Sequence, residues 1–383
     1  MDKQFQPVTG GNKSMLLKSP AAACCGPAQK IDDSIFRQDF VTGTFINEQV
    51  TFPVAATLLT RKDRWNHVKA RTGSFRNNFT VVPGLYAVGN PSSNSDVFVS
   101  ANYGMSFNYL REALHGMNAW ILVLDTKGIN VWCAAGKGTF GTAEVVNRIR
   151  LSGVEKVVKH RKIIVPQLGA PGVDAAEVQK QTGFRVMYGP VLAKDIKAYV
   201  AAGYKATGEM RIIKFGVIDR LVLTPMEINP AMKKYPQFAL AVLVIFGLTP
   251  EGIIFKNAFY DGMPFLLGGL FAVLTGAFMT PMLLPFVPFR SFALKGLLTG
   301  LAVFVPLSFS MADVFQYSEL TQLAFVLLFT AFTSYFAVQF TGATTFTHLS
   351  GVKKELKYAL PIYIVTAVLS AFLILYDRVG GMI

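Results

Sequence analysis

One cysteine stands in the least ordinary stretch of the chain, Thr126-Lys-Gly-Ile-Asn-Val-Trp-Cys133-Ala-Ala-Gly-Lys-Gly-Thr-Phe-Gly-Thr142. A lone thiol has three uses. It can pack as a small hydrophobe, as most free cysteines do. It can be a nucleophile, or its thiolate can donate to a soft or borderline metal. A nucleophile wants a general base, and His67, His115 and His160 form no recognisable dyad with Cys133. No second Cys lies nearby, so neither a zinc site nor an iron–sulfur cluster can be built here. A place beside a helix start, with Lys137 close by, suits a thiolate. Phosphate-binding glycine patterns fit poorly. For a P-loop, Gly136-Lys137 is followed by Gly138 instead of Ser or Thr, and Val131 stands where the first Gly is required. Gly136, Gly138 and Gly141 have dinucleotide spacing but lie some ten residues past the strand end.

The flanking sequence predicts the elements that hold this stretch. Asp96–Asn102, Ala119–Asp125, Lys162–Val165 and Phe184–Tyr188 read as short buried strands. Met105–Gly116, Thr139–Ser152, Asp174–Thr182 and Ala193–Ala202 read as helices. The alternation predicts an α/β fold, a Rossmann-like domain with a parallel sheet and right-handed crossovers. Ligands in such sheets bind at the carboxyl ends of the strands. Ser100–Tyr103, Thr126–Cys133, Pro166–Gly172 and Tyr188–Pro190 should gather there. Within the first two, Ser100, Asn102 and Thr126 are candidate cofactor contacts.

The chain has 383 residues, 52% of them hydrophobic and 16% charged. That composition excludes a disordered, collagen-like or disulfide-rich protein. Residues 1–234 hold 30 of the 37 Lys and Arg and 17 of the 23 Asp and Glu, leaving 7 and 6 for residues 235–383. A basic half therefore precedes a nearly uncharged apolar half. In the second half, Tyr235–Phe255, Pro264–Phe289, Phe292–Phe309, Leu320–Phe346 and Leu356–Tyr376 are long enough, or nearly so, to cross a bilayer. The first is interrupted by Pro250 and Glu251. The second carries Pro281, Pro285 and Pro288. Loops with Arg290 and Lys295, and with Lys353, Lys354 and Lys357, should face the cytoplasm. Five spans then leave the N-terminal half in the cytoplasm and the C-terminus outside. Residues 1–35 lack the apolar core of a signal peptide. Gly268, Gly269 and Gly276 suit close helix packing. The expected organisation is a flexible segment at 1–49, a cytoplasmic α/β domain at 50–230 and a multi-pass membrane domain of about five helices at 231–383.

Asn130-Val-Trp-Cys-Ala-Ala-Gly-Lys137, continuing Gly-Thr-Phe-Gly-Thr142, resembles the cap-helix motif of the corrinoid protein of the anaerobic mercury-methylation pair. These proteins are membrane-anchored relatives of the large subunit of the corrinoid iron–sulfur protein of the acetyl-CoA pathway. Pro83–Pro91, Val97–Tyr103 and Leu168–Gly172 add to the resemblance, as does the C-terminal anchor. It covers about residues 50–383.

The resemblance implies a corrinoid (cobalamin) whose cobalt takes Cys133 as its lower axial ligand. Asn130, Val131, Trp132, Ala134, Ala135, Gly136 and Lys137, with Gly138 and Thr139, would shape the lower face of the corrin. Ser100, where relatives carry Thr, would keep a hydroxyl contact. The D-x-H-x-x-G signature of histidine-ligated corrinoid proteins is absent from this chain. The implied function is a corrinoid-dependent methyltransferase. A methyl group is loaded on Co(I) from a methylated folate or its methyltransferase. An electron-rich thiolate below the cobalt favours its transfer as a carbanion equivalent to Hg(II). A ferredoxin-like partner with two 4Fe–4S clusters would re-reduce the cobalt, so iron–sulfur clusters belong to the partner alone. Cys24-Cys25 could hand over Hg(II), or be an incidental pair. The basic excess suits an acidic partner or anionic lipid, and no nucleic-acid module is present. Lys127 and Lys137 are by default solvated. Two other readings stay open: a membrane-bound methyl carrier of one-carbon metabolism with another acceptor, and a non-catalytic transporter or sensor.

Overall fold

Runs of apolar, β-branched residues make the strands at the centre of the first unit. The computed structural model describes residues 5–7, 33–47, 50–249, 252–253, 255–343 and 349–380. Cys24 and Cys25 lie outside them. The chain divides into two units, Met1–Ala70 with Ser74–Ile213, and Arg71–Gly73 with Lys214–Ile383.

The first unit is built on one mixed sheet. Its strands are β1 (Phe5–Pro7), β2 (Val41–Asn47), β3 (Val50–Ala55), β4 (Gly84–Val88), β5 (Val97–Ala101), β6 (Ala119–Leu124), β7 (Lys162–Val165) and β8 (Arg185–Tyr188). Seven of these follow Val41, and the three-residue β1 adds to their edge. The spatial order is β1-β2-β3-β4-β6-β5-β7-β8. The expected parallel sheet is found only in part. β6, β5, β7 and β8 run parallel, whereas β4 is antiparallel to β6, and β1, β2 and β3 pair antiparallel. The four parallel strands are the four read from the sequence.

Helices α1 (Arg61–Thr72), α2 (Gly104–Ala113), α3 (Val131–Lys137), α4 (Thr142–Ser152), α5 (Val154–Val157), α6 (Ala175–Thr182) and α7 (Ile196–Ala201) complete the unit. Strand alternation divides its core between the two faces of the sheet. Val97, Val99, Trp120, Leu122 and Leu124 pack with Val131, Ala134, Ala135 and the apolar side of α4. Phe98, Ile121 and Val123 pack with Phe107 and Leu110 of α2 and Ile196 and Tyr199 of α7. From β5 the chain passes through α2 to β6 on one side; from β6 it crosses back to β7 on the other. The switch point, where loops after neighbouring parallel strands diverge, therefore lies between β5 and β7.

The second unit is helical. It contains α8 (Val217–Leu223), α9 (Pro225–Gly247), a short hairpin of β9 (Leu248–Thr249) and β10 (Gly252–Ile253), and α10 (Phe255–Leu274). A π-turn at Thr275–Met279 leads into α11 (Thr280–Met282), followed by α12 (Phe292–Phe315), α13 (Glu319–Gln339) and α14 (Leu349–Gly380). Four stretches among the described residues are long and apolar enough to cross a membrane: Ala258–Met282, Phe292–Met311, Glu319–Gln339 and Gly351–Arg378. The fifth expected span, Tyr235–Phe255, is not one of them. Its helix ends at Gly247 and begins in polar sequence, with Lys233 and Lys234 one turn ahead of Phe238. It nevertheless lies along α10: Tyr235 Oη donates to Leu266 O at 2.7 Å, and a Cβ on Gly262 would sit 3.1 Å from Val242 Cγ1.

Close approach is the role of three glycines of the second unit. A Cβ on Gly268 would come within 2.5 Å of the Phe329 ring, one on Gly269 within 2.5 Å of Phe238, and one on Gly276 within 2.5 Å of Thr333 O. Hydrogen bonds fix the two ends of the bundle. At one end, Glu355 accepts the backbone N–H groups of Phe292 and Ala293, and Lys295 donates to the carbonyls of Leu284 and Val287. At the other, Asp261 pairs with Arg378 and Thr321 donates to Asp377.

Candidate functional site

The carboxyl ends of β5 and β6 carry the root of the site. Asn102, just past β5, accepts three hydrogen bonds at Oδ1: from Thr126 N at 3.0 Å, Thr126 Oγ1 at 2.8 Å and Gly128 N at 2.9 Å. Thr126 is fully buried, and its hydroxyl also lies 2.6 Å from Ile129 O. Glu144 of α4 accepts Asp125 N–H at 2.8 Å and the Arg148 guanidinium at 2.8 Å. Asp125 pairs with Lys127 at 2.5 Å. Partial burial pushes the Asp125 carboxyl up, but the Lys127 ammonium and backbone N–H outweigh it and hold it below the usual carboxylate range. The turn itself needs left-handed backbone at Lys127 (φ 58°) and Gly128 (φ 71°). A local network thus fixes Asp125–Ile129, from which α3 departs.

α3 is a short helix with both ends closed. Asn130 is its N-cap, and the carboxamide oxygen takes the Cys133 N–H at 2.9 Å. Gly138 ends it in the left-handed conformation at φ 81°. Val131, Ala134 and Ala135 are the buried side. Helical spacing places Trp132, Cys133, Gly136 and Lys137 on the other. Trp132 is 38% exposed, and Cys133 is half-buried between the two sides. Gly136 adds no side chain beside the thiol, and a Cβ there would meet nothing within 4 Å. The helix packs on β5 and on the 3-10 turn Gln167–Gly172 that follows β7, which puts it over the switch point. Gly172 permits that contact. A Cβ there would strike Phe140 O and lie 3.1 Å from Ala135 Cα.

Three of the four segments expected at the strand ends therefore meet: the ends of β5 and β6 by hydrogen bonds, and the segment after β7 by packing on α3. The segment after β8 joins through Gly189 N, which donates to Val165 O at 2.9 Å. The other expected residues are placed as follows. Ser100 is buried, and strand alternation sets it with Phe98 on the α2 face, away from α3; its hydroxyl lies 3.1 Å from Ala101 O. Thr139, two residues past α3, has a buried Oγ1 without a hydrogen-bond partner. Sequence reasoning missed Glu144 and the packing role of Gly172. The only sequence sign of Glu144 is its i,i+4 relation to Arg148.

No group of three or more His, Cys, Asp or Glu able to hold a metal ion occurs among the described residues. A single soft donor on an open helix face, beside a glycine and a flat indole, suits a metal that brings its own equatorial ligands and needs one more from the protein. The unpartnered Thr139 hydroxyl is a polar group that a bound molecule could satisfy. On both counts the residues fit a planar metal macrocycle.

Residues 74–200 match the family model of the CO dehydrogenase/acetyl-CoA synthase delta subunit. That range takes in β4 to β8 and all of α3. Curated relatives include the acetyl-CoA decarbonylase/synthase complex subunit gamma of Archaeoglobus fulgidus, 30% identical over 122 residues. The subunits gamma of Methanothermobacter thermautotrophicus and Methanopyrus kandleri are 31% and 32% identical over the same length. Each alignment covers 31% of this chain and 26% of the relative, so the chain spans about a quarter of the length of the curated relatives it matches. The family match ends before Lys214, where the second unit resumes.

Proposed function

We propose that this chain is a corrinoid-dependent methyltransferase anchored in the cytoplasmic membrane, and that its acceptor is Hg(II). The observation that carries the reading is the position of Cys133: a half-buried lone thiol at the edge of the open side of a capped helix, over the switch point in the parallel part of the sheet. The likeness to subunits of the acetyl-CoA decarbonylase/synthase complex supports corrinoid methyl carriage. The resemblance at Asn130–Lys137 is what argues for mercury.

When bound, the corrinoid supplies a cobalt centre that takes up and gives up a methyl group. The protein's part is positional and electronic. Cys133 would hold the metal through its sulfur, and a soft anionic donor of that kind would enrich it in electrons. Asn130 fixes the first turn of α3, and the Asn102–Thr126–Gly128 network fixes the loop before it, so the sulfur is preorganised. Trp132 offers a flat apolar surface beside the ligand, and Thr139 Oγ1 an unmet hydrogen-bonding group at the end of α3. Lys127 is held by Asp125, which leaves Lys137 as the cation on the thiol's side of the helix. A two-cluster ferredoxin-like protein would supply the two electrons that the centre needs after giving up a carbanion-equivalent methyl, which the chain's own residues cannot, and a methylated folate or its methyltransferase would supply the methyl group. The bundle end with Arg290, and with Lys353, Lys354 and Lys357 in the first turns of α14, faces the cytoplasm; α9, which lies along α10, carries the chain across as a further helix and so leaves the first unit on that same side.

The relatives favour a second reading, a methyl carrier of one-carbon metabolism with another native acceptor. One anaerobic experiment separates the two. Full-length protein loaded with methylcorrinoid is given Hg(II) thiolate, with Cys133→Ala alongside, and the cobalt absorption spectrum is recorded. We expect methylmercury from wild type only, and a spectrum altered by loss of the sulfur ligand in the variant. Corrinoid bound without methylmercury would hand the case to the carrier reading. Failure of wild type to bind corrinoid would sink both.

A further inference from the structure

Among the described residues two guanidinium groups are buried, and they are treated differently. Arg111, on α2, is fully buried, and its surroundings answer its charge. Its Nη2 lies 3.0 Å from Asp63 Oδ2, its Nη1 donates to Ala56 O at 2.6 Å, and its Nε donates to Asn108 Oδ1 at 2.8 Å. Arg220, on α8, is 3% exposed. Its Nε is buried without a hydrogen-bond partner, and no carboxylate among the described residues pairs with it. The adjacent Asp219 is exposed, and its carboxylate caps α8 by accepting Gly216 N–H at 2.8 Å. An arginine does not escape burial by losing its proton. A buried guanidinium with its Nε–H unmet and no carboxylate beside it therefore calls for an anion.

The place of Arg220 in the second unit indicates which anion. α8 packs on α11, where the first apolar stretch ends, and on α9. That is the end of the bundle at which Arg290, Lys353, Lys354 and Lys357 are exposed. On the outer side of α8, Val217, Ile218 and Leu221 are 54%, 69% and 41% exposed. A cation beneath a short helix with bare apolar side chains, at the basic end of a membrane bundle, matches a molecule with an anionic head and apolar tails. Guanidinium geometry favours phosphate oxygens.

We infer that Arg220 is the cation of a phosphate-binding site at the basic end of the helical unit, filled by the headgroup phosphate of an anionic phospholipid. The inference needs the membrane reading of the four apolar helices and is independent of the corrinoid chemistry.

Full-length protein is placed in nanodiscs of phosphatidylcholine with and without phosphatidylglycerol, and in detergent with and without inorganic phosphate. Thermal midpoints are measured for wild type, Arg220→Gln, Arg220→Lys and the double variant Lys353→Gln/Lys354→Gln. Phosphatidylglycerol should raise the wild-type midpoint, as a ligand of the folded state does. Arg220→Lys should keep part of the shift, Arg220→Gln should lose it, and the double lysine variant should keep it. A shift with inorganic phosphate but none with phosphatidylglycerol, lost in Arg220→Gln, overturns the lipid assignment and makes the ligand a soluble phosphate. A lipid shift kept in Arg220→Gln, or lost in the lysine variant, overturns the site. If Arg220→Gln does not fold, wild type and Arg220→Lys decide: equal shifts in the two, or none in wild type, refute it. Protein that does not enter nanodiscs refutes the membrane reading instead.

Discussion

At the scale of the residue, Asn102 and Cys133 divide the labour of the site. Cys133 presents a free thiol, while Asn102 gathers three donors on one oxygen and so fixes the loop from which the cysteine's helix starts. Substituting Asn102 by Leu leaves Thr126 N and Gly128 N without an acceptor in a largely buried place. At about 1–3 kcal/mol for each unsatisfied group, the loss should be about 2–6 kcal/mol. Asn102→Asp keeps the acceptor and should cost less. Thermal unfolding of the full chain checks the order, and equal midpoints for Leu and Asp would refute the role. The place of Cys133 near the start of a helix was legible in the sequence because the stretch follows an apolar strand run and a turn. The anchoring role of Asn102 was not, because its partners stand 24 and 26 residues away and a single residue type does not announce long-range bonds. Ser100 makes the same point from the other direction: only the strand register tells which face of the sheet it takes.

At the scale of the element, α3 owes little to its own propensity. Seven residues are too few for a stable isolated helix. It is held by the Asn130 cap, the Gly138 stop and the contact of Ala135 with Gly172. A methyl group on residue 172 would strike Phe140 O and crowd Ala135, so Gly172→Ala should push α3 off the turn after β7. Gly136→Ala, on the open side, has space and should be tolerated. We expect Gly172→Ala to lower the thermal midpoint and change the reactivity of Cys133 towards a thiol reagent, with Gly136→Ala close to wild type in both. The reverse order would mean that α3 is placed by something other than this contact. β5, β6, β7 and β8 were legible because strands buried on both faces read as unbroken apolar runs. β2, β3 and β4 were not. Gly43 lies at a register shift in β2, Pro53 interrupts β3, and β4 runs against its neighbour β6. Pairing direction comes from the connections, not from the pattern within a strand.

At the scale of the whole molecule, charge and apolarity are segregated along the chain, and the second unit repeats that segregation in space. Counting apolar runs gave five spans, whereas four stretches meet the length and apolarity of a crossing. α9 differs because it is apolar only from Phe238 onward, with its polar first half still packed beside α10 through Tyr235. A helix with one polar half cannot be judged from composition alone, since what shields that half is a neighbour distant in sequence. The ends of the bundle offer a sharper test than the count. Glu355, Lys353, Lys354 and Lys357 lie at the start of the last apolar stretch; Glu319 opens the third stretch, and Thr321 near it bonds Asp377 near the end of the last. The lysine-rich end should be cytoplasmic. In a chain with Cys24, Cys25 and Cys133 changed to Ser, a membrane-impermeant maleimide added to intact spheroplasts should label Glu319→Cys. It should reach Lys354→Cys only after lysis. The opposite pattern would invert the orientation and put the Cys133 site on the outer side of the membrane, away from cytoplasmic methyl and electron donors, so this labelling also bears on whether the proposed chemistry has its reactants within reach.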